Sequence, residues 1–346
     1  MTAHFDDTNT DRSNAVNGDN DSRNLAIAAV LSRRIEVGAL IAGEQPLSVA
    51  VDIFIPKRLE QPGLAFFCVP GSGLSKRYYH LDVQGAIDFS FARQMAARGA
   101  ITIAIDLPGV GDSTRPHDGF ALVPDVMIAA LARVVATLEA ELRSGELSAE
   151  IPPLPALKCI GVGHSMGGML TILTQAAQRC YAALAIMGYS GTGRETHLTD
   201  AERPYVDDPM PLRANIVRLT QLRTNEAYMT IDTRGRGRDL YGGEADRDAL
   251  RAVKNAGDKM LAVMSFFAMI PNSANAECAA IDVPVLIAVG DADITGAAHR
   301  IPARFAASSD VSLLVLKDTG HTHFTFPSCE RLFERLQRWS RDTTSS

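Results

Sequence analysis

The sequence predicts an α/β fold, a mostly parallel sheet flanked by helices with a helical insertion, and three observations predict it. Short apolar runs recur at Leu64–Val69, Ile101–Ile105, Leu157–Val162, Ala182–Gly188, Pro284–Val289 and Val311–Leu316. Runs this short and this uniformly apolar are what strands covered on both faces require. Between them lie helix-forming stretches at Phe89–Arg98, Val126–Arg143, Met166–Arg179, Ala298–Ala307 and Cys329–Arg341. Strand and helix in alternation build a parallel sheet wrapped by helices. The alternation then breaks across residues 190–280, which are helical, charged and glycine-containing. A structureless loop of that length has no place in a compact domain, so the segment reads as an inserted helical cap. The predicted layout is a disordered tail over 1–24, a core over 25–189 and 281–346, and a cap over 190–280.

Each element follows from local pattern. Residues 1–24 are rich in Asp, Asn, Ser and Thr and lack the apolar centre of a signal peptide. Ile35–Ile41 and Leu47–Ile55 alternate as two antiparallel strands joined through Gly43-Glu44-Gln45-Pro46. Leu64–Val69 runs into Pro70-Gly71-Ser72-Gly73, and the run from Ile101 ends in Asp106-Leu107-Pro108-Gly109-Val110-Gly111-Asp112-Ser113. The strand Leu157–Val162 leads to Gly163-His164-Ser165-Met166-Gly167 and a helix beyond. G-x-S-x-G between strand and helix is the sequence form of a nucleophile elbow, a sharp turn that holds the serine hydroxyl out at the sheet edge. Pro284–Val289 ends in Gly290-Asp291-Ala292-Asp293, and Val311–Leu316 leads to Asp318-Thr319-Gly320-His321.

A nucleophilic serine needs a base, and the base needs an orienting carboxylate; with an elbow of this kind they follow in the order Ser, Asp or Glu, His. The chain supplies that order, with Asp291 and Asp293 both available on one short loop. On these segments the chain resembles the α/β-hydrolases from about residue 62 to its C-terminus. The stretch Asp106–Ser113 resembles that family's D-x-P-G-x-G-x-S. The resemblance implies the α/β-hydrolase fold with Ser165 as nucleophile, His321 as base and Asp293, by family spacing, as the acid. It also implies an oxyanion hole made by the backbone N–H groups of Met166 and Ser72, although Pro70 stands where the family usually has histidine. The activity implied is a serine hydrolase of a small to medium apolar carboxylic ester or lactone, needing neither metal nor organic cofactor. Two alternatives stand beside it. Gly71-Ser72-Gly73 also resembles part of the oxyanion loop of carbon–carbon bond hydrolases of the meta-cleavage type, and a non-catalytic hydrolase-fold binding protein would share the fold. Serine at the elbow argues against epoxide hydrolases and haloalkane dehalogenases, which use aspartate there.

Other residues have two readings each. Tyr78 and Tyr79 either line the pocket or pack beneath the oxyanion loop. Met264, Phe266, Phe267 and Met269 are ordinary core in an isolated helix and line an apolar substrate tunnel in a cap. His164 reads as a packing or hydrogen-bonding residue, Asp318 as a brace for the histidine loop, and His323 as a pocket or surface histidine, since H-x-H lacks a D-x-H continuation and a partner cluster. Gly161–Gly167 loosely matches a dinucleotide-binding loop, but the next strand lacks the ribose-binding acid. No G-x-x-x-x-G-K-[ST] accompanies the GTPase-like Asp106-Leu107-Pro108-Gly109.

Composition narrows partners and compartment. The 346 residues carry a net charge of −6 and no basic stripe, which argues against nucleic acid. The longest apolar stretches fall short of the roughly 20 residues of a membrane span. Five cysteines without C-x-x-C spacing read as buried hydrophobes in a reducing, cytoplasmic setting. The sequence carries no signal for oligomeric state.

Overall fold

A computed structural model describes residues 26–344 apart from 61–62, 84, 86, 150 and 231–244. The predicted tail over 1–24 lies outside the described residues. Strands β1 (Ile27–Gly38), β2 (Leu47–Pro56), β3 (Leu64–Val69), β4 (Ile101–Ile105), β5 (Lys158–His164), β6 (Ala183–Met187), β9 (Val285–Gly290) and β10 (Val311–Leu316) form one sheet in the order β1-β2-β4-β3-β5-β6-β9-β10. β2 runs antiparallel to β1 and β4; every pairing from β4 to β10 is parallel.

The sheet buries both faces because β3 and its neighbours are apolar at every position. Ala65, Phe67 and Val69 enter one core and Leu64, Phe66 and Cys68 the other, as the two-residue period of a strand dictates. Helices α2 (Pro124–Ser144) and α3 (Met166–Gln178) cover the first face, and α1 (Phe91–Ala97) and α9 (Cys329–Thr344) the second. Pro124 opens α2 where its missing N–H is harmless, and Gly145 closes it in the left-handed conformation. In α9, Leu332, Phe333, Leu336 and Trp339 form the buried stripe.

Two expected elements differ. β1 starts well before Ile35 and ends at Gly38, whose φ of 91° turns the chain so that Ala39–Ile41 is not strand. Its first half alternates exposed and half-buried residues at the sheet edge, a weak apolar signal in sequence. Ala298–Ala307 is not an α-helix but two short 3₁₀ turns, Ala298–Arg300 and Pro302–Arg304. Pro302 is the reason: it has no N–H to bond back to the Ala298 carbonyl, so an α-helix cannot run through it, although Ile301 itself keeps helical backbone.

Between β6 and β9 the chain forms α4 (Pro204–Asp207), α5 (Leu212–Arg223), β7 (Tyr228–Met229), α6 (Arg247–Asn255), β8 (Met260–Leu261), α7 (Ala262–Met269) and α8 (Asn275–Ala280), with β7 and β8 paired antiparallel. This segment is fastened to the loop after β3. Leu74 and Gly257 form a β-bridge, Ser75 N–H donates to the Ala256 carbonyl at 2.9 Å, and Asp258 N–H donates to the Gly73 carbonyl at 2.9 Å. No helix among the described residues is long and apolar enough to cross a membrane.

Candidate active site

Ser165 stands between β5 and α3 with φ 54° and ψ −122°, a conformation that L-residues avoid and that the turn imposes. The flanking glycines are needed for space rather than for backbone torsion. A Cβ on Gly163 would meet the Gly167 carbonyl at 2.4 Å, and one on Gly167 would meet the Val69 carbonyl of β3 at 2.1 Å. The G-x-S-x-G pattern is thus the condition for β3, β5 and α3 to close around the serine.

Ser165 Oγ lies 2.9 Å from His321 Nε2, and His321 Nδ1 lies 2.8 Å from Asp293 Oδ1. Nδ1–H donates to the carboxylate, which leaves the Nε2 lone pair facing the serine hydroxyl. The Asp293 side chain is wholly buried. Burial alone would raise its carboxyl, but hydrogen bonds from His321 and His323, and their charges, outweigh it and hold the group well below the usual carboxylate range. Of the two acids on this loop, Asp291 is turned elsewhere: its oxygens accept the N–H groups of Asp318 and Thr319 at 3.0 and 3.1 Å. Asp291, not Asp318, braces the histidine loop. Asp318 itself is exposed with φ 53°.

His323 is neither a pocket nor a surface residue. A short 3₁₀ turn, His323–Thr325, directs it inward, where it is fully buried and its Nε2 lies 2.8 Å from the second Asp293 oxygen, Oδ2. His164 is buried as well, its Nε2 donating to the His321 carbonyl at 2.7 Å. Burial first, then the neighbouring His321 and His323, hold its imidazole well below the ordinary histidine range, so it is a neutral packing group. Among the described residues no group of three His, Cys, Asp or Glu side chains is arranged to hold a metal ion.

The backbone N–H groups of Ser72 and Met166 take no acceptor among the described residues. Ser72 Oγ lies 2.5 Å from Ser265 Oγ on α7, which ties the loop after β3 to the inserted segment. The same loop is anchored from below by Lys76, whose ammonium, only 5% exposed, pairs with Asp106 at 3.0 Å and with Asp112. Burial opposes the charge on Lys76, yet the Asp112 hydrogen bond and the Asp106 charge prevail and keep it protonated. Asp106 Oδ1 also accepts the Lys76 N–H at 2.6 Å, and Oδ2 the Asp112 N–H at 2.9 Å. The Asp106–Ser113 motif therefore serves the site indirectly, through this loop. Lys76, Ser265 and His323 are the contributors that pattern reading missed; Lys76 alone offered a sequence signal, as half of the cationic pair Lys76-Arg77 just after an apolar strand and glycine loop.

A cavity of about 610 Å³ opens above Ser165, lined by Ser72, Met166, Ser265, Met269 and His321 among others. Tyr78 and Tyr79 are not in its wall. Both are fully buried beneath the loop, Tyr79 Oη donating to the Val69 carbonyl at 2.8 Å and Tyr78 stacked on Phe324 at 4.7 Å. Of the four apolar residues expected on α7, only Met269 reaches the cavity. Met264 and Phe267 turn into the core shared with α3, and Phe266 packs under Arg223, 4.6 Å from its guanidinium carbon. One helix cannot present four residues within six positions to one cavity; at a hundred degrees per residue, Ser265, Ala268 and Met269 share that side instead.

Comparison with known proteins agrees with this architecture. No curated protein sequence matches the chain. Among solved structures, an esterase from Exiguobacterium antarcticum is similar at TM-score 0.60 and 15% identity, covering 91% of this chain and 100% of that one. A thermophilic esterase from Thermogutta terrifontis is similar at TM-score 0.56 and 16% identity, over 91% and 99%. A bromoperoxidase from Bacillus anthracis is similar at TM-score 0.56 and 15% identity, over 90% and 100%. These likenesses concern the fold. The model of the alpha/beta hydrolase family matches residues 66–334, which span every strand from β4 to β10, most of β3, the serine elbow and the histidine loop, and the chain belongs to that family.

Proposed function

We propose that this protein is a serine hydrolase that cleaves a small to medium carboxylic ester or lactone with a largely apolar body, through an acyl-enzyme. The observation that carries the reading is the continuous hydrogen-bonded chain Ser165–His321–Asp293, closed at 2.9 and 2.8 Å at the floor of the cavity. In this reading His321 Nε2 takes the Ser165 proton as Oγ bonds to the ester carbonyl carbon. Asp293 holds the imidazole in the tautomer that can accept it and stabilises the imidazolium that results. The carbonyl oxygen, now negative, is met by the free N–H groups of Met166 and Ser72; one such donor is worth about 3 kcal/mol in comparable sites. The carbon–oxygen bond to the alcohol then breaks as His321 returns the proton to the leaving oxygen. Water, deprotonated by His321, attacks the acyl-enzyme and releases the acid and the free serine.

In this scheme the segment over 190–280 acts as a cap, a reading supported by the contribution of Ser265, Ala268 and Met269 to the cavity wall. The esterase neighbours share the fold and are consistent with ester chemistry. The test is a panel of p-nitrophenyl esters of increasing acyl length, measured with wild type and Ser165→Ala. Turnover with a defined length optimum, falling by several orders of magnitude in the variant, is expected. Equal turnover in both proteins would overturn the reading.

A further inference from the structure

The lining of the cavity above Ser165 combines apolar side chains with cations. Leu74, Val253 and Met260 belong to the wall, while the charged residues of the lining are Arg194, Lys254, Lys259 and Asp258. The single acid already has partners: the Asp258 carboxylate accepts the Gly111 and Lys259 N–H groups and pairs with Arg115 at 3.3 Å. The Lys259 ammonium is engaged by the Thr230 hydroxyl, to which it donates. Arg194 is half-buried and Lys254 exposed, and among the described residues neither side chain has an ion-pair or hydrogen-bond partner.

A partly desolvated guanidinium without a counter-charge is unfavourable until an anion reaches it. Cations lining a low-dielectric cavity also focus their field into it and draw anions in. We propose that the site takes an ester whose apolar chain ends in an anionic oxygen group, a carboxylate or a phosphate, with Arg194 and Lys254 holding that end. The placement of the carbonyl at Ser165 rests on the hydrolase reading above; the anion contact does not. The planar fork of Arg194 can pair both oxygens of such a group, and Lys254 adds a mobile point charge to the same cavity. A neutral chain end would leave both cations unanswered.

The experiment compares binding to Ser165→Ala protein, so that turnover does not intervene. Its probes are the mono-p-nitrophenyl ester of suberic acid, the same compound with its free carboxylate methylated, and a p-nitrophenyl alkanoate of equal length ending in phosphate. The carboxylate ester is expected to bind roughly tenfold tighter than the methylated one, the sum of two partly screened ion pairs. The gap should narrow as salt is raised and close in Arg194→Gln/Lys254→Gln on the Ser165→Ala background, by loss of affinity for the charged probe. A phosphate probe that binds tighter still would support the contact and assign it to phosphate. Equal binding of charged and methylated probes, or a gap that survives both substitutions, would overturn the proposal. Cleavage of the methylated ester by wild type is read separately. Its absence would count against the hydrolase and leave the binding comparison intact.

Discussion

His323 and Asp293 are joined at 2.8 Å through the carboxylate oxygen that His321 does not use, so one buried acid is held by two imidazoles. A carboxylate bonded through a single oxygen can swing about its Cβ–Cγ bond; one bonded through both cannot. His323→Leu removes the second bond, and kcat is expected to fall by about tenfold to a hundredfold with KM little changed, the effect of a small misplacement of the base. His323→Gln, which can still present an N–H, should recover much of the loss. Wild-type kinetics in the leucine variant would mean that the second bond positions nothing.

The His164 imidazole supplies a pH signature of folding. Its folded-state proton affinity is depressed, whereas in the unfolded chain it titrates near the ordinary value of about 6.5. Above that pH both states are neutral and nothing is lost. As pH falls below it the unfolded chain takes up a proton that the folded protein does not, and stability declines by up to about 1.4 kcal/mol per pH unit from this group. Melting temperature followed from about pH 7.5 to about 5.5 should therefore fall more steeply in wild type than in His164→Gln. Parallel curves would show that another group controls the acid limb.

Lys76 lies four positions past Ser72 and, itself buried, pairs with the buried Asp106, with the exposed Asp112 and, at 3.8 Å, with Asp52. Lys76→Met leaves the buried Asp106 without its counter-charge, a change that typically removes about 3–5 kcal/mol of stability. Denaturant unfolding monitored by fluorescence checks the size of the loss. A shift within about 0.5 kcal/mol, the range of ordinary surface substitutions, would remove Lys76 from the support of the loop.

The wall of the cavity predicts a division of effects along α7. Phe267→Ala should cost about 3–5 kcal/mol of stability and leave the acyl-length profile in place, because its ring is in the core. Ala268→Phe should do the opposite, shortening the optimum by filling space above Ser165 while stability changes little. Melting temperatures and a chain-length panel on both variants separate the two; a reversed pattern would exchange the faces of the helix.

Most of the sheet was legible in the sequence because the inner strands are covered on both faces and so are apolar throughout, as in Val285–Gly290. The elbow, the histidine loop and Asp293 were legible because each follows a strand end at a fixed spacing. What pattern could not reveal depends on three-dimensional packing. Nothing in Gly320-His321-Thr322-His323 says that the second histidine turns inward onto Asp293, since a single 3₁₀ turn decides it. The composition of α7 hides which residues face core and which face cavity, because apart from Ser265 every position from Ala262 to Met269 is apolar. Tyr78 and Tyr79 follow the oxyanion loop in sequence yet lie beneath it, held by the Val69 carbonyl at the end of β3 and by Phe324 from a distant part of the chain.

The most direct test of the central claim, that Ser165 is the nucleophile, is mass spectrometry of the protein after exposure to a small fluorophosphonate. One phosphonyl adduct mapped to Ser165 is expected in wild type, absent from Ser165→Ala and formed far more slowly in His321→Ala. An adduct on another residue, or labelling of Ser165 at an undiminished rate without His321, would contradict the mechanism.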